Sequence, residues 1–155
     1  MTPADLVTTL AAEIKNACAG LKLFTEYTTA SEDNLVEVNV FAQVCPKDLF
    51  ETTSYLPFVI VELLSVEDDL NDESLAQIGL SFAVFGLEED GFKDLFHLME
   101  TVRYRLLTKR VIGKRFRLKE ARWEPIPSEN QPQPFLYGAA TLTYSIFQPQ
   151  EVLPL

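Results

Sequence analysis

A chain of 155 residues, 47% apolar and 11% aromatic, is long enough to bury a core of its own, and this composition excludes wholesale disorder. Its only two cysteines, Cys18 and Cys45, supply neither a disulfide framework nor a zinc site, and no apolar run reaches the roughly 18–20 residues of a membrane helix. The net charge of −10 conceals an asymmetry. Nine of the 13 bases (Arg103, Arg105, Lys109, Arg110, Lys114, Arg115, Arg117, Lys119 and Arg122) face Glu120 alone between 103 and 122, so that stretch carries +8 and the remainder −18.

Met1-Thr2-Pro3-Ala4-Asp5 has neither the basic nor the apolar region of a signal peptide, so a cytoplasmic chain is expected. Thr2, Pro3 and Asp5 read as a helix start: a cap, a proline in the first turn and an acid at the third position. Leu6, Leu10, Ile14 and Cys18 follow at every fourth position, which predicts an amphipathic helix ending near Gly20, with Cys18 a small buried hydrophobe. Leu23 to Thr29 is ambiguous, and 31–34 is a turn. Leu35 to Phe41 alternates, with Val36, Val38 and Val40 inward, and predicts one strand. Residues 42–56 read as a connection with one helical turn around 47–52. Pro57 to Leu64 is almost continuously apolar and predicts a strand buried on both faces.

Glu67 to Glu73 packs five carboxylates into seven residues: Glu67, Asp68, Asp69, Asp72 and Glu73. The run lacks the glycine and distal glutamate of an EF-hand, so a hydrated loop between strands is expected rather than a calcium site. Gln77 to Leu87 then alternates with Ile78, Leu80, Phe82 and Val84 on one face. From Gly91 to Arg110 the period changes. Phe92, Leu95, Phe96, Met99, Val102 and Leu106 form one helical stripe, and Val111-Ile112-Gly113 is expected to be the helix exit. Arg117 to Glu124 predicts a strand with Leu118 on one face and Ala121 and Trp123 on the other. Residues 125–134 form a stiff loop with four prolines. Phe135 to Phe147 predicts a final strand with Leu136, Ala140, Leu142, Tyr144 and Ile146 on one face, and 148–155 a tail. The whole reads as a single domain over 1–155.

No catalytic constellation stands out. His97 is the single histidine, with Lys93, Glu100 and Tyr104 near it on the polar side of its helix, and no cysteine lies close in sequence. Gly86 and Gly91 flank a strand-to-helix turn, but Glu88-Glu89-Asp90 between them would repel a phosphate. No enzyme activity and no cofactor or metal are expected.

The order of segments resembles the tail terminator (tail completion) proteins of long-tailed bacteriophages and prophages. The matching pieces are the N-terminal amphipathic helix, Leu56-Pro57-Phe58-Val59-Ile60-Val61 and the strand 78–87. Asp90-Gly91-Phe92-Lys93-Asp94-Leu95 follows, leading into the helix with Arg103-Tyr104-Arg105-Leu106-Leu107, and Gln131-Pro132-Gln133-Pro134-Phe135-Leu136-Tyr137-Gly138 precedes the last strand. The resemblance implies an α+β fold: a mainly antiparallel sheet of about four to five strands packed by two helices, the N-terminal one and the long helix 91–110. It implies a structural protein that forms a homo-oligomeric ring of six in the neck region of the virion tail, after assembly in the host cytoplasm. Such a ring caps the head-proximal end of the tail tube, ends polymerisation and offers a docking surface to the head. Its partners would be further copies of itself, the tail tube protein and head or neck connector proteins. DNA would pass through without specific binding, and no membrane is involved.

Head-completion and neck proteins share much of this architecture and form the alternative. A DNA-binding module is disfavoured by the −18 outside the basic stretch. The basic residues Arg103, Arg105, Lys109, Arg110, Lys114, Arg115 and Arg117 and the acids Glu67, Asp68, Asp69, Asp72 and Glu73 are the candidate interface, meeting between neighbouring subunits. Two other readings of the basic stretch stay open: a solvated segment neutralised by the chain's own acids, or a surface facing DNA in the lumen. The loops 66–73 and 125–134 are candidates for contact with the tube or neck.

Overall fold

A computed structural model describes residues 2–24, 35–43, 55–70, 73–86, 89–125 and 135–146. Helix α1 (Pro3–Ala17) opens on a reciprocal cap: the Asp5 backbone N–H donates to the Thr2 hydroxyl at 3.2 Å, and the Thr2 backbone N–H donates to the Asp5 carboxylate at 2.7 Å. Leu6, Leu10 and Ile14 are completely buried, each stabilising the fold by about 1.5–3 kcal/mol. Cys18 continues their row, and burial pushes its thiol up to about 11.

The chain then forms β1 (Lys22–Phe24), β2 (Leu35–Glu37), β3 (Asn39–Ala42), β4 (Phe58–Asp68) and β5 (Ser74–Phe85). Helix α2 (Glu89–Thr108) follows, then β6 (Val111–Ile112), β7 (Phe116–Pro125) and β8 (Phe135–Ile146). Strands β1 and β2 pair as a two-stranded antiparallel sheet. The other six form one sheet in the order β3-β4-β5-β8-β7-β6. Both helices pack on one face of it, over Val59, Val61, Ile78, Leu80, Phe82, Val84, Leu142 and Tyr144. On the opposite face a smaller cluster of Leu56, Phe58, Ile60, Ala83 and Phe85 gathers at one end, with Phe41 set edge-on to Tyr55 at 6.0 Å.

This corrects the expected sheet of four to five mainly antiparallel strands. The sheet has six strands and is mixed, because β3 runs parallel to β4 with Asn39 opposite Phe58 and Ala42 opposite Val61, and a second sheet stands beside it. The expected strand 35–41 is broken at Val38 and divided between the two sheets, which alternation cannot reveal because both halves alternate. Val111-Ile112, expected as a helix exit, is instead strand β6, paired with Arg117 and Phe116. Strand β4 runs on to Asp68, so Glu67 and Asp68 belong to a strand rather than a loop.

Two face assignments also change. A bulge between Leu118 and Glu120 shifts β7 by one residue, so that Leu118, Ala121 and Trp123 all turn to the core face. In α2, Leu98 is fully buried whereas Phe96 is 46% exposed and lies beside Phe92 at 6.1 Å. The core row runs through Leu95, Leu98/Met99, Val102 and Leu106, at spacings of three and four. No described helix is long and apolar enough to cross a membrane. The expected turn 31–34, the helical turn 47–52, most of the loop 125–134 and the tail 148–155 lie outside the described residues.

Candidate assembly interface

Strand pairing puts the acidic and basic runs at the same end of the sheet. Ser74 at the start of β5 lies opposite Asp68 and Ile146, and Ser145 lies opposite Arg117 near the start of β7. At this end β4 and β5 are joined by the acidic turn, and β6 and β7 by the basic one, with the central strands between them. The basic turn is tight. Gly113 and Lys114 both have left-handed backbones, with φ of 57° and 63°, and the Arg115 N–H donates to the Ile112 carbonyl at 3.3 Å.

The structure divides the nine bases into two groups. Arg105 and Lys109 both reach Glu13 on α1, Arg105 at 3.2 Å. Arg103 lies 3.5 Å from Glu100, Lys119 3.3 Å from Glu73 and Arg122 2.7 Å from Glu124. These five are satisfied within the chain. The Arg110 side chain donates, among the described residues, only to the Leu107 carbonyl, at 3.1 Å. Among the described residues no carboxylate pairs with Arg110, Lys114, Arg115 or Arg117. Within 103–122, the positive charge with no carboxylate partner among the described residues is therefore confined to 110–117, around a shallow groove of about 290 Å³ lined by Val111, Lys114, Arg115, Arg117 and Glu73.

The acids divide similarly. Glu73 is taken by Lys119, and the Asp68 carboxylate accepts the Ser74 hydroxyl. Glu67 is exposed and has no ion pair among the described residues. Asp69 is exposed beside it, its N–H donating to the Glu73 carbonyl at 3.4 Å, and Asp72 lies outside the described residues. Among the described residues no group of three or more His, Cys, Asp or Glu side chains is set to hold a metal. His97 is exposed on α2, and its carbonyl accepts the Thr101 hydroxyl.

Neither a protein-family model nor a curated protein sequence matches this chain. What its surface does has to be read from the surface's own chemistry, and there the two edges of the sheet differ in sign. On one side β4, which β3 accompanies only from Phe58 to Val61, runs on to the carboxylates of Glu67 and Asp68, and on the other β6 is flanked by guanidinium and ammonium groups.

Glu13 was not among the candidate residues, because nothing in the spacing of a helix 92 positions upstream points at Arg105. Its carboxyl is held below the ordinary glutamate range, chiefly by the hydrogen bond from Lys109, against the opposing effect of burial and with help from Arg105. A depressed folded pKa gives stability that is complete above the unfolded value and lost as pH falls through the folded one. The Glu13 side chain is only 12% exposed but its partners are 39% and 49% exposed, so water screens the pairs. Glu13→Gln is expected to cost about 1 kcal/mol at pH 7. In urea titrations the gap between variant and wild type should close as the pH drops below the ordinary glutamate range. A gap that persisted in acid would mean that Glu13 acts through packing.

Proposed function

We propose that this chain is a structural, non-enzymatic virion protein: a tail terminator whose copies close head to tail into a ring on the head-proximal end of a phage or prophage tail tube. The observation that carries this reading is the opposite, uncompensated charge on the two edges of one sheet, Glu67 at the β4 edge and Arg110, Lys114, Arg115 and Arg117 at the β6 edge. Two different patches that complement each other produce a heterologous contact. Such contacts close into a ring where the rotation between neighbours divides a full turn, and otherwise run on as a filament. A patch that paired with itself would give a two-fold dimer instead.

The internal ion pairs add support. With five of the nine bases of 103–122 neutralised inside the chain, that stretch keeps only a four-residue cluster without a carboxylate partner among the described residues. A surface that gripped DNA would need a broader positive face, since each neutralised phosphate adds salt-dependent affinity. A ring that lets DNA slide through is better served by spending these bases between subunits. In this reading the ring stops tube growth, presents the surface on which the filled head docks, and needs neither a cofactor nor a reaction.

Deleting the gene from its phage or prophage, inducing, and viewing the lysate by negative-stain electron microscopy tests the proposal. Tubes of uncontrolled length, or normal tubes that never join filled heads, are expected. Emptied heads beside complete tails would move the protein to the head side of the neck. Ordinary infectious particles would overturn the assignment.

A further inference from the structure

The outer strands cover the sheet only in part, and they do so at opposite ends. Strand β3 lies against β4 only from Phe58 to Val61. Its coverage is closed off by Gln43, whose N–H donates to the Val61 carbonyl at 2.7 Å and whose side-chain oxygen accepts the Leu63 N–H at 2.9 Å. From Leu64 to Asp68 no described residue pairs with the outer edge of β4. On the other side, β6 covers β7 at Phe116 and Arg117, and the Leu118 N–H donates to the Arg110 carbonyl at 2.7 Å. From Lys119 to Pro125 no described residue pairs with the outer edge of β7. Strand β6 thus projects at the charged end of the sheet and β3 at the far end. Each projection has a recess diagonally opposite it.

We infer that two copies of this chain join by fitting these steps together, β6 of one copy beside Leu64–Asp68 of the next, and β3 of that next copy beside residues 119–125 of the first. A rotation about an axis along the strands brings the two edges together without turning either copy over. From the strand directions within the sheet, the first pairing is parallel and the second antiparallel. Main-chain N–H and C=O groups left over on each edge then find partners, as in the addition of a strand to a sheet.

Charge selects this pairing over the alternatives. Glu67 and Asp68 border one recess, and Arg110, Lys114, Arg115 and Arg117 surround the strand that enters it. Two β4 edges set against each other would oppose carboxylates, and two β6 edges would oppose cations, so like edges reject one another. Val66 and Val111, each 38% exposed, add apolar surface on opposite faces of the joint, Val66 on the face that carries the helices and Val111 on the other. The inference rests on the ring reading only in taking a second copy as the occupant.

Full-length chain carrying Ser65→Cys and Val111→Cys, which lie on the same face of the sheet, with Cys45→Ser to remove background, is oxidised mildly and run on non-reducing gels. Within one copy the two positions lie on strands four ladder steps apart, about 19 Å, which exceeds the reach of a disulfide. A ladder of cross-linked multimers ending at the ring size is expected, with neither single-cysteine variant forming more than background dimer. Ser65→Cys with Lys114→Cys gives a second pair should the first disturb folding, which circular dichroism reports. Dimers from Ser65→Cys alone or Val111→Cys alone would mean that like edges meet, and would overturn the joint. So would wild-type rings, seen by light scattering, combined with failure of both double variants to cross-link; the ring reading would then stand with its contact elsewhere. Wild-type chain that stays monomeric, both free and on isolated tail tubes, would overturn the joint and the ring together.

Discussion

Arg115→Glu with Arg117→Glu should give a folded monomer. The same is expected of Glu67→Lys with Asp68→Lys, because either pair of reversals makes the two edges of the sheet alike in sign. Like charges brought together across an interface cost several kcal/mol, so a loss of association of at least 100-fold is expected for each variant. Both arginines are exposed and have no carboxylate partner among the described residues, so the fold should survive their reversal. The informative result comes from mixing the two variants. The reversed β4 edge of one now meets the reversed β6 edge of the other, and the unreversed edges also match. Size-exclusion chromatography with light scattering should show each variant monomeric alone and multimeric when mixed. Multimers of either variant alone would remove charge from the account of assembly. Raising the salt should weaken the wild-type multimer, since the groups concerned are exposed.

The largest effect on stability is expected at Gly86. Strand β5 ends one residue before it, and helix α2 begins close by. A Cβ on Gly86 would lie 2.5 Å from the Gly91 Cα and 2.8 Å from Leu136 Cδ1. A Cβ on Gly91 would lie 2.6 Å from the Gly86 Cα. The obstacle is backbone on both sides, so no side-chain rotation relieves it. Gly86→Ala and Gly91→Ala are each expected to cost about 3 kcal/mol or more, lowering the melting temperature by about 6–12 °C. Gly79→Ala is the control. Its new Cβ would meet only the exposed, flexible side chain of Leu64 at 3.2 Å, and less than about 1 kcal/mol is expected. Equal losses at Gly79 and Gly86 would mean that the approach of strand end to helix start is not what these glycines serve.

The long elements were legible because their patterns are long. The capping residues Thr2, Pro3 and Asp5 announced α1, and the alternation through Ile78, Leu80, Phe82 and Val84 announced the core face of β5. Where the reading failed, a single residue had changed the phase. The bulge in β7 moved Ala121 and Trp123 to the face of Leu118, and the break at Val38 sent one apparent strand into two sheets. No periodicity reports a two-residue strand such as β6, or a parallel partner such as β3. The charged runs were visible as composition. That they share one end of the sheet, and that Glu13 and Glu73 remove three of the bases from consideration, are facts of pairing between residues distant in sequence.

Strand β8 sits at the middle of the sheet, between β5 and β7, yet it is the last of the six to be synthesised. While the ribosome is still making residues 135–146, the nascent chain holds two separate pieces: the β3-β4-β5 half and the β6–β7 ribbon. Each has an apolar face and an open centre. The long-range closure that unites them is slow by nature and leaves edges exposed while it waits. A premature stop before Phe135 would therefore not yield a smaller version of this protein. It would yield a chain whose two half-sheets lack the strand between them, with the inner edges of β5 and β7 open to aggregation.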